Sequence, residues 1–313
     1  MPKYEIATIV RLQTLPMLER RLEGWSGDIS LGVNRGHLHL PRWSKPGLPL
    51  RKPAWPGKNA PKLPTSGWGA RVNPGSDDPV HDELLLAAVQ ARFKAKGKNR
   101  DAVTKELKTE GERWARRLTE WIEVFTHQDL HQTEPFEPMH EVGRDVDVLL
   151  RTSDRWKAGR PQSWRLTVVG WRPLHEAEWT AVVEKANLQA DPPLAHRLLR
   201  DARHALNLNR PLEATLLLGS ALEVALRPVV EWHLTLAGQT PQPRETLGNL
   251  IAYARLAPPL FTLPARLTPP GSTAGFLQRR NAATHGATSP ARDDVVEDSA
   301  EVHKVVETIF PLR

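Results

Sequence analysis

PLEATLLLGSALEVALRPVV, residues 211–230, is the stretch from which the architecture of the second half of the chain can be read. Pro211 opens it, at a position where the missing N–H would have been unpaired anyway and φ is already helical. Leu216, Leu217, Leu218, Leu222, Ala225, Leu226 and Val229 then cover nearly the whole circumference of a helix. A helix that is apolar all round belongs at the centre of a domain, with other helices covering every side. Pro228 is expected to kink it or end its first segment, because proline crowds the carbonyl four residues back and donates no hydrogen bond.

The covering helices can be read on both sides of this run. Upstream, Leu194, Leu198, Ala202 and Leu206 recur every four residues. Downstream, Leu247, Leu250, Ile251 and Tyr253 mark a shorter helix, and a proline-rich loop follows over residues 257–271. A further helix is expected from Ser272 or Thr273 to His285-Gly286, and a last one over about residues 291–310, with Val295, Val302, Val306 and Ile309 on one face. The whole reads as an all-α bundle over residues 191–313, set off by Ala190-Asp191-Pro192-Pro193.

Residues 1–190 differ in character. They hold ten of the 11 tryptophans and a net charge of +6, against +1 for the remainder. YEIATIVRL (4–12) and DISLGV (28–33) read as strands, as do VDVLLR (146–151) and WRLTVVGW (164–171). Asp78-Pro79 has the form of a helix start, with Leu84, Leu85, Ala88 and Phe93 continuing it. A second helix is expected from about Arg100 to Phe125, with Trp114, Leu118, Trp121 and Ile122 on one face. The expectation is an α+β domain followed by the helical one.

Composition narrows the chemistry. The chain has 313 residues and no cysteine, which removes disulfides, thiolate catalysis and cysteine-based zinc sites and makes a cytoplasmic location the default expectation. The amino terminus shows no signal-peptide pattern, and no apolar run is long enough to span a bilayer, so no membrane role is expected. The formal charge of +7 permits a nucleic-acid partner.

RRNAATHG, residues 279–286, carries the sharpest chemical signal. Arg280 offers a planar fork of donors that fits phosphate oxygens, and His285 can give or take a proton near neutral pH. Five residues on a straight helix are about 140° apart, so the two would not share a face. His285 is therefore expected at the helix end, with Gly286 in the left-handed cap position. Arg280, Asn281 and His285, in this helical setting, resemble the hallmark of the HEPN superfamily, in which Arg, usually followed by a polar residue, precedes His by four to six intervening residues. The resemblance covers about 120 residues and leaves the first 190 unexplained. It implies a HEPN-like bundle and a metal-independent endoribonuclease acting as a toxin or antiviral defence effector. It also implies a homodimer through residues 191–313 in which two motifs form one site, RNA as substrate, no cofactor, and an antitoxin or defence-system partner. Asn281 could orient the phosphate or cap the backbone, and Glu223 could support the site or simply pair with Arg227 four residues on. The alternatives are a non-catalytic HEPN module for dimerisation or nucleic-acid binding, and a partner of a nucleotidyltransferase.

Residues 34–76 read as a long proline- and tryptophan-rich loop or arm. There is no acidic residue between positions 29 and 76. Arg42, Lys45, Arg51, Lys52, Lys58 and Lys62 are interleaved with Trp43, Trp55 and Trp68, a pattern suited to phosphates and stacked bases or equally to a solvated loop with its indoles tucked in. HQDLH at 127–131, with Glu134 and His140 beyond, has metal-ligand spacing but lacks the glutamate beside the first histidine that a zincin needs, and no metal is expected.

Overall fold

The computed structural model describes residues 3–12, 15–42, 50–54, 67–72, 83–96, 100–130, 149–152, 155–158, 172–240, 246–256, 263–267, 275–286 and 288–312. The chain divides into two compact units, Met1–Asp191 and Pro192–Arg313. No helix among the described residues is long and apolar enough to cross a membrane.

The first unit is α+β. Strands β1 (Lys3–Arg11), β2 (Met17–Glu19), β3 (Ser26–Leu31), β4 (Asn34–His39), β5 (Gly69–Val72), β6 (Glu83–Leu86) and β7 (Ala88–Lys96) form two antiparallel sheets. One runs β1-β7-β4-β3 and the other β2-β6-β5. A separate hairpin joins β8 (Leu149–Thr152) to β9 (Arg155–Ala158). Helix α1 (Arg100–Thr126) packs on β1 and β3, and α2 (Glu176–Asn187) packs on β3 and α1. Trp114, Leu118, Trp121 and Ile122 are buried on α1, as their spacing predicts.

Asn187 ties these layers together at the end of α2. Its side-chain oxygen accepts from the Trp114 indole and the Ser30 amide, both at 3.0 Å, and its amide nitrogen donates to the Asp28 carbonyl at 2.9 Å. Gln128 does the same for the other sheet: it bonds both the N–H and the carbonyl of Met17 and also the Arg172 carbonyl, so both ends of this buried amide have partners.

Two expectations for this unit fail. Leu84, Leu85, Ala88 and Phe93 lie on strands β6 and β7, not on a helix. The physical reason is visible along β7, where Val89, Ala91 and Phe93 alternate with Gln90, Arg92 and Lys94, a period of two. Strand β7 is paired on both sides, by β1 and β4, and its ladder outweighs the local helical propensity of leucine and alanine. Likewise, the stretch expected as one long loop contains β4 and β5, and Arg42 bridges to Arg51. Gly36 on β4 fits against β7, where an added Cβ would meet the Arg92 carbonyl and the Phe93 ring. The expected strand at 164–171 lies outside the described residues. Helix α2 was not anticipated.

The second unit is helical: α3 (Leu194–Asn207), α4 (Pro211–Leu236), α5 (Leu247–Leu256), α6 (Phe276–Thr284) and α7 (Arg292–Ile309). Helix α4 is central and touches the other four. Ala214, Leu218, Ala221, Leu222, Ala225 and Leu226 on it are fully buried. Each such leucine contributes about 2 kcal/mol of transfer free energy. The break expected at Pro228 does not occur: α4 continues through it to Leu236. Pro228 is exposed, where the carbonyl it leaves unbonded can be hydrated. His196 on α3 is buried, with Nε2 2.7 Å from the Phe310 carbonyl, and so ties the first helix to the end of α7.

Candidate functional site

Helix α6 is anchored at its start and open at its end. Phe276 and Leu277 are buried in the core around α4, while Asn281, Thr284, His285 and Gly286 are exposed. The two adjacent arginines in between have different environments. Arg279 donates through Nε to Asp298 Oδ2 at 2.8 Å and through Nη2 to Oδ1 at 2.6 Å. Asp298 lies on α7 with no exposed surface and also accepts from Arg266 Nε at 2.8 Å. Arg266 further reaches Asp294 at 3.0 Å and Glu297 at 2.6 Å, and its pKa is raised, first by the Asp298 hydrogen bond. This buried carboxylate, clamped by two guanidiniums, fastens α6 to α7.

Arg280 faces elsewhere. Its aliphatic stem lies across Gly219 of α4, where an added Cβ would stand 2.9 Å from Cγ and 3.3 Å from Nε. Its guanidinium makes one long contact, Nη1 to Asn281 Oδ1 at 3.4 Å, and among the described residues it has no acidic partner. The backbone then closes as the sequence predicts. The His285 amide bonds the Asn281 carbonyl at 3.1 Å, and Gly286 takes a left-handed φ of 68°. A residue with a Cβ would be strained there. His285 occupies the cap position at the C-terminal end of the helix. No hydrogen bond or ion pair joins Arg280 to His285 within the described residues. Within one copy of this unit, then, Arg280 lies against α4 while His285 stands exposed at the helix end.

Glu223 is one turn along α4 from Gly219 and pairs with Arg227 at 2.6 Å. That satisfies its charge on its own helix, the simpler of the two roles considered for it. Among the arm residues, Arg42, Arg51 and Lys52 are exposed, with Arg42 and Arg51 joined by a two-bond backbone bridge of 2.8 Å each way. Lys45, Trp55, Lys58 and Lys62 lie outside the described residues. Trp68 is buried, with 1% of its surface exposed, so its indole packs and does not offer a stacking platform. His131, Glu134 and His140 are also outside the described residues; among those described, no group of three His, Asp or Glu is placed to hold a metal ion.

Sequence reasoning missed Arg279, Asp298, Arg266 and Gly219. Asp298 did leave a signal, an acid three residues after Val295 and four before Val302, on the apolar stripe of the last helix. Gly219 left another, a glycine inside a strongly apolar helix. No family model, no curated protein and no solved structure matches the chain.

Proposed function

We propose that the Pro192–Arg313 unit is a HEPN-like domain and a metal-independent endoribonuclease, serving as a toxin or antiviral defence effector. The observation that carries this reading is the division of labour at 279–280. Arg279 is occupied by a buried aspartate, whereas Arg280 is placed on Gly219 with no acidic partner among the described residues, beside Asn281 and five residues before the exposed His285. A guanidinium left without a carboxylate is suited to phosphate.

In this mechanism the RNA 2′-hydroxyl attacks the adjacent phosphorus, Arg280 neutralises charge gathering on the phosphorane oxygens, and a His285 imidazolium protonates the departing 5′-oxygen. The products are a 2′,3′-cyclic phosphate and a 5′-hydroxyl. One histidine cannot readily serve as base and acid in the same step. The HEPN resemblance implies the remedy: two copies of the unit pair as a homodimer, one His285 taking the 2′-hydroxyl proton and the other protonating the 5′-oxygen. The test is incubation of the full chain with total RNA in EDTA, with analysis of fragment ends. His285→Ala should lower cleavage by roughly 10²–10⁴-fold, and Arg280→Lys should also be severely impaired because the bidentate fork is lost. Full cleavage by a folded His285→Ala protein would remove the catalytic assignment. A folded wild type that cuts no RNA, with or without a partner, would leave the non-catalytic binding module.

A further inference from the structure

The polar face of the four-stranded sheet contains an arrangement that the nuclease reading does not use. Gln90 on β7 has no exposed surface, and among the described residues neither its side-chain oxygen nor its side-chain nitrogen has a hydrogen-bond partner. His39 on β4 is its direct register partner, so the two side chains share a face. The His39 Nε2 is likewise buried and unpartnered. Arg92, two residues along β7 on the same face, donates through Nη2 to the Ala54 carbonyl. A buried amide with both ends unbonded is costly, and its neighbours compound the cost. Water could meet part of it, but the chemistry of the group is more specific than a need for water.

We propose that Gln90, His39 and Arg92 form a nucleotide-binding site, with the base edge on Gln90 and a phosphate on Arg92. A carboxamide presents one donor and one acceptor side by side, which matches the paired donor and acceptor on a base edge. A guanidinium matches phosphate oxygens, and in this site it exchanges the Ala54 carbonyl for the ligand. Burial, then the charge of Arg92 and His37, holds the His39 imidazole down to about 4, so it meets a ligand as a neutral donor or acceptor. Lys94 continues the same face and is exposed. Two acids share this face by register: Asp28, 3.1 Å from His37 at the exposed rim, and Glu5 of β1, opposite Lys94. The site belongs to the first unit, whereas Arg280 and His285 belong to the second, and it does not depend on their role. A free nucleotide and an RNA strand offer the same base and phosphate, and the test separates them.

The full chain is titrated in EDTA with a fluorescein-labelled mixed-sequence 2′-O-methyl RNA of about 12 nucleotides, a length within the range of single-strand binding sites and blocked at the hydroxyl that cleavage needs. It is titrated separately by calorimetry with the four ribonucleoside 5′-monophosphates. Binding of a monophosphate identifies a free-nucleotide site; binding of RNA alone identifies a strand site; either outcome upholds the proposal when the variants respond as follows. Gln90→Leu should melt no lower than wild type, because an unpaired buried amide is replaced by an apolar group of similar size. It should nevertheless bind on the order of 10-fold more weakly, the loss of one base-edge pairing. Arg92→Gln should weaken binding and flatten its dependence on salt. In wild type, ligand should accelerate hydrogen exchange at the Arg51 amide, which is bonded to the Arg42 carbonyl next to the displaced Ala54. If wild type binds neither probe, or if folded Gln90→Leu and Arg92→Gln both bind as wild type does, the cluster is a hydrated structural feature and the proposal is overturned.

Discussion

Asp298→Asn tests whether the two-arginine clamp is what docks α6. Asp298 has no exposed surface and accepts three charge-assisted bonds, two on Oδ1 and one on Oδ2. Asparagine keeps the shape but turns one acceptor into an amide that faces an arginine donor, and it removes the charge between two cations. Removing one partner of a buried ion pair costs about 3–5 kcal/mol. Two features place this case at the lower end. Arg279 and Arg266 retain 15% and 29% of their side-chain exposure, and both keep acidic neighbours, Asp294 at 3.9 Å and 3.0 Å respectively and, for Arg266, Glu297 at 2.6 Å. The expected loss is about 3 kcal/mol, which in a unit of this size lowers the melting temperature by roughly 10 °C. Arg279→Gln should cost a similar amount. Arg280→Gln, one residue away, should stay within about 0.5 kcal/mol of wild type, because it removes no buried partner. Thermal melts of the full chain followed by far-UV circular dichroism read all three. An Asp298→Asn melt within about 2 °C of wild type, or an Arg280→Gln loss equal to that of Arg279→Gln, would refute the reasoning.

Two further substitutions separate stability from site geometry. Gly219→Ala gains about 1 kcal/mol of helix propensity while its new Cβ displaces the Arg280 stem. Its melting temperature should hold or rise while RNA cleavage falls on the order of 10-fold; a destabilised variant with wild-type cleavage would contradict the placement of Arg280. Glu83→Gln probes the cross-strand pair Glu83 and Glu19 of β6 and β2. Burial pushes the Glu83 carboxyl up to about 7, His175 opposes the shift, and Glu19 adds to it. The folded protein therefore keeps a proton that the unfolded chain releases above its ordinary value of 4.5, and stability declines as pH rises from there through 7. The variant should out-melt wild type at about pH 8 and lose that advantage toward pH 5; an advantage independent of pH would exclude the titration of Glu83 as its source.

The sequence alone determined those features whose cause is local and periodic. The apolar circumference of residues 211–230 requires a central helix, and α4 is central. The stripe of Trp114, Leu118, Trp121 and Ile122 defines α1, and the glycine after His285 marks the end of α6. Tertiary structure decided the rest. Residues 84–89 are an apolar run that suits helix and strand alike, and pairing on both sides of β7 made it a sheet. Pro228 stayed within a helix because it faces outward and the flanking turns are packed. Motif spacing singles out Arg280 of the two arginines in RRN, but nothing in the local sequence shows what either one contacts. Which of them meets a buried carboxylate and which lies along α4 depends on Asp298 arriving from α7 and Gly219 from α4, contacts between residues far apart in the chain that no local pattern encodes.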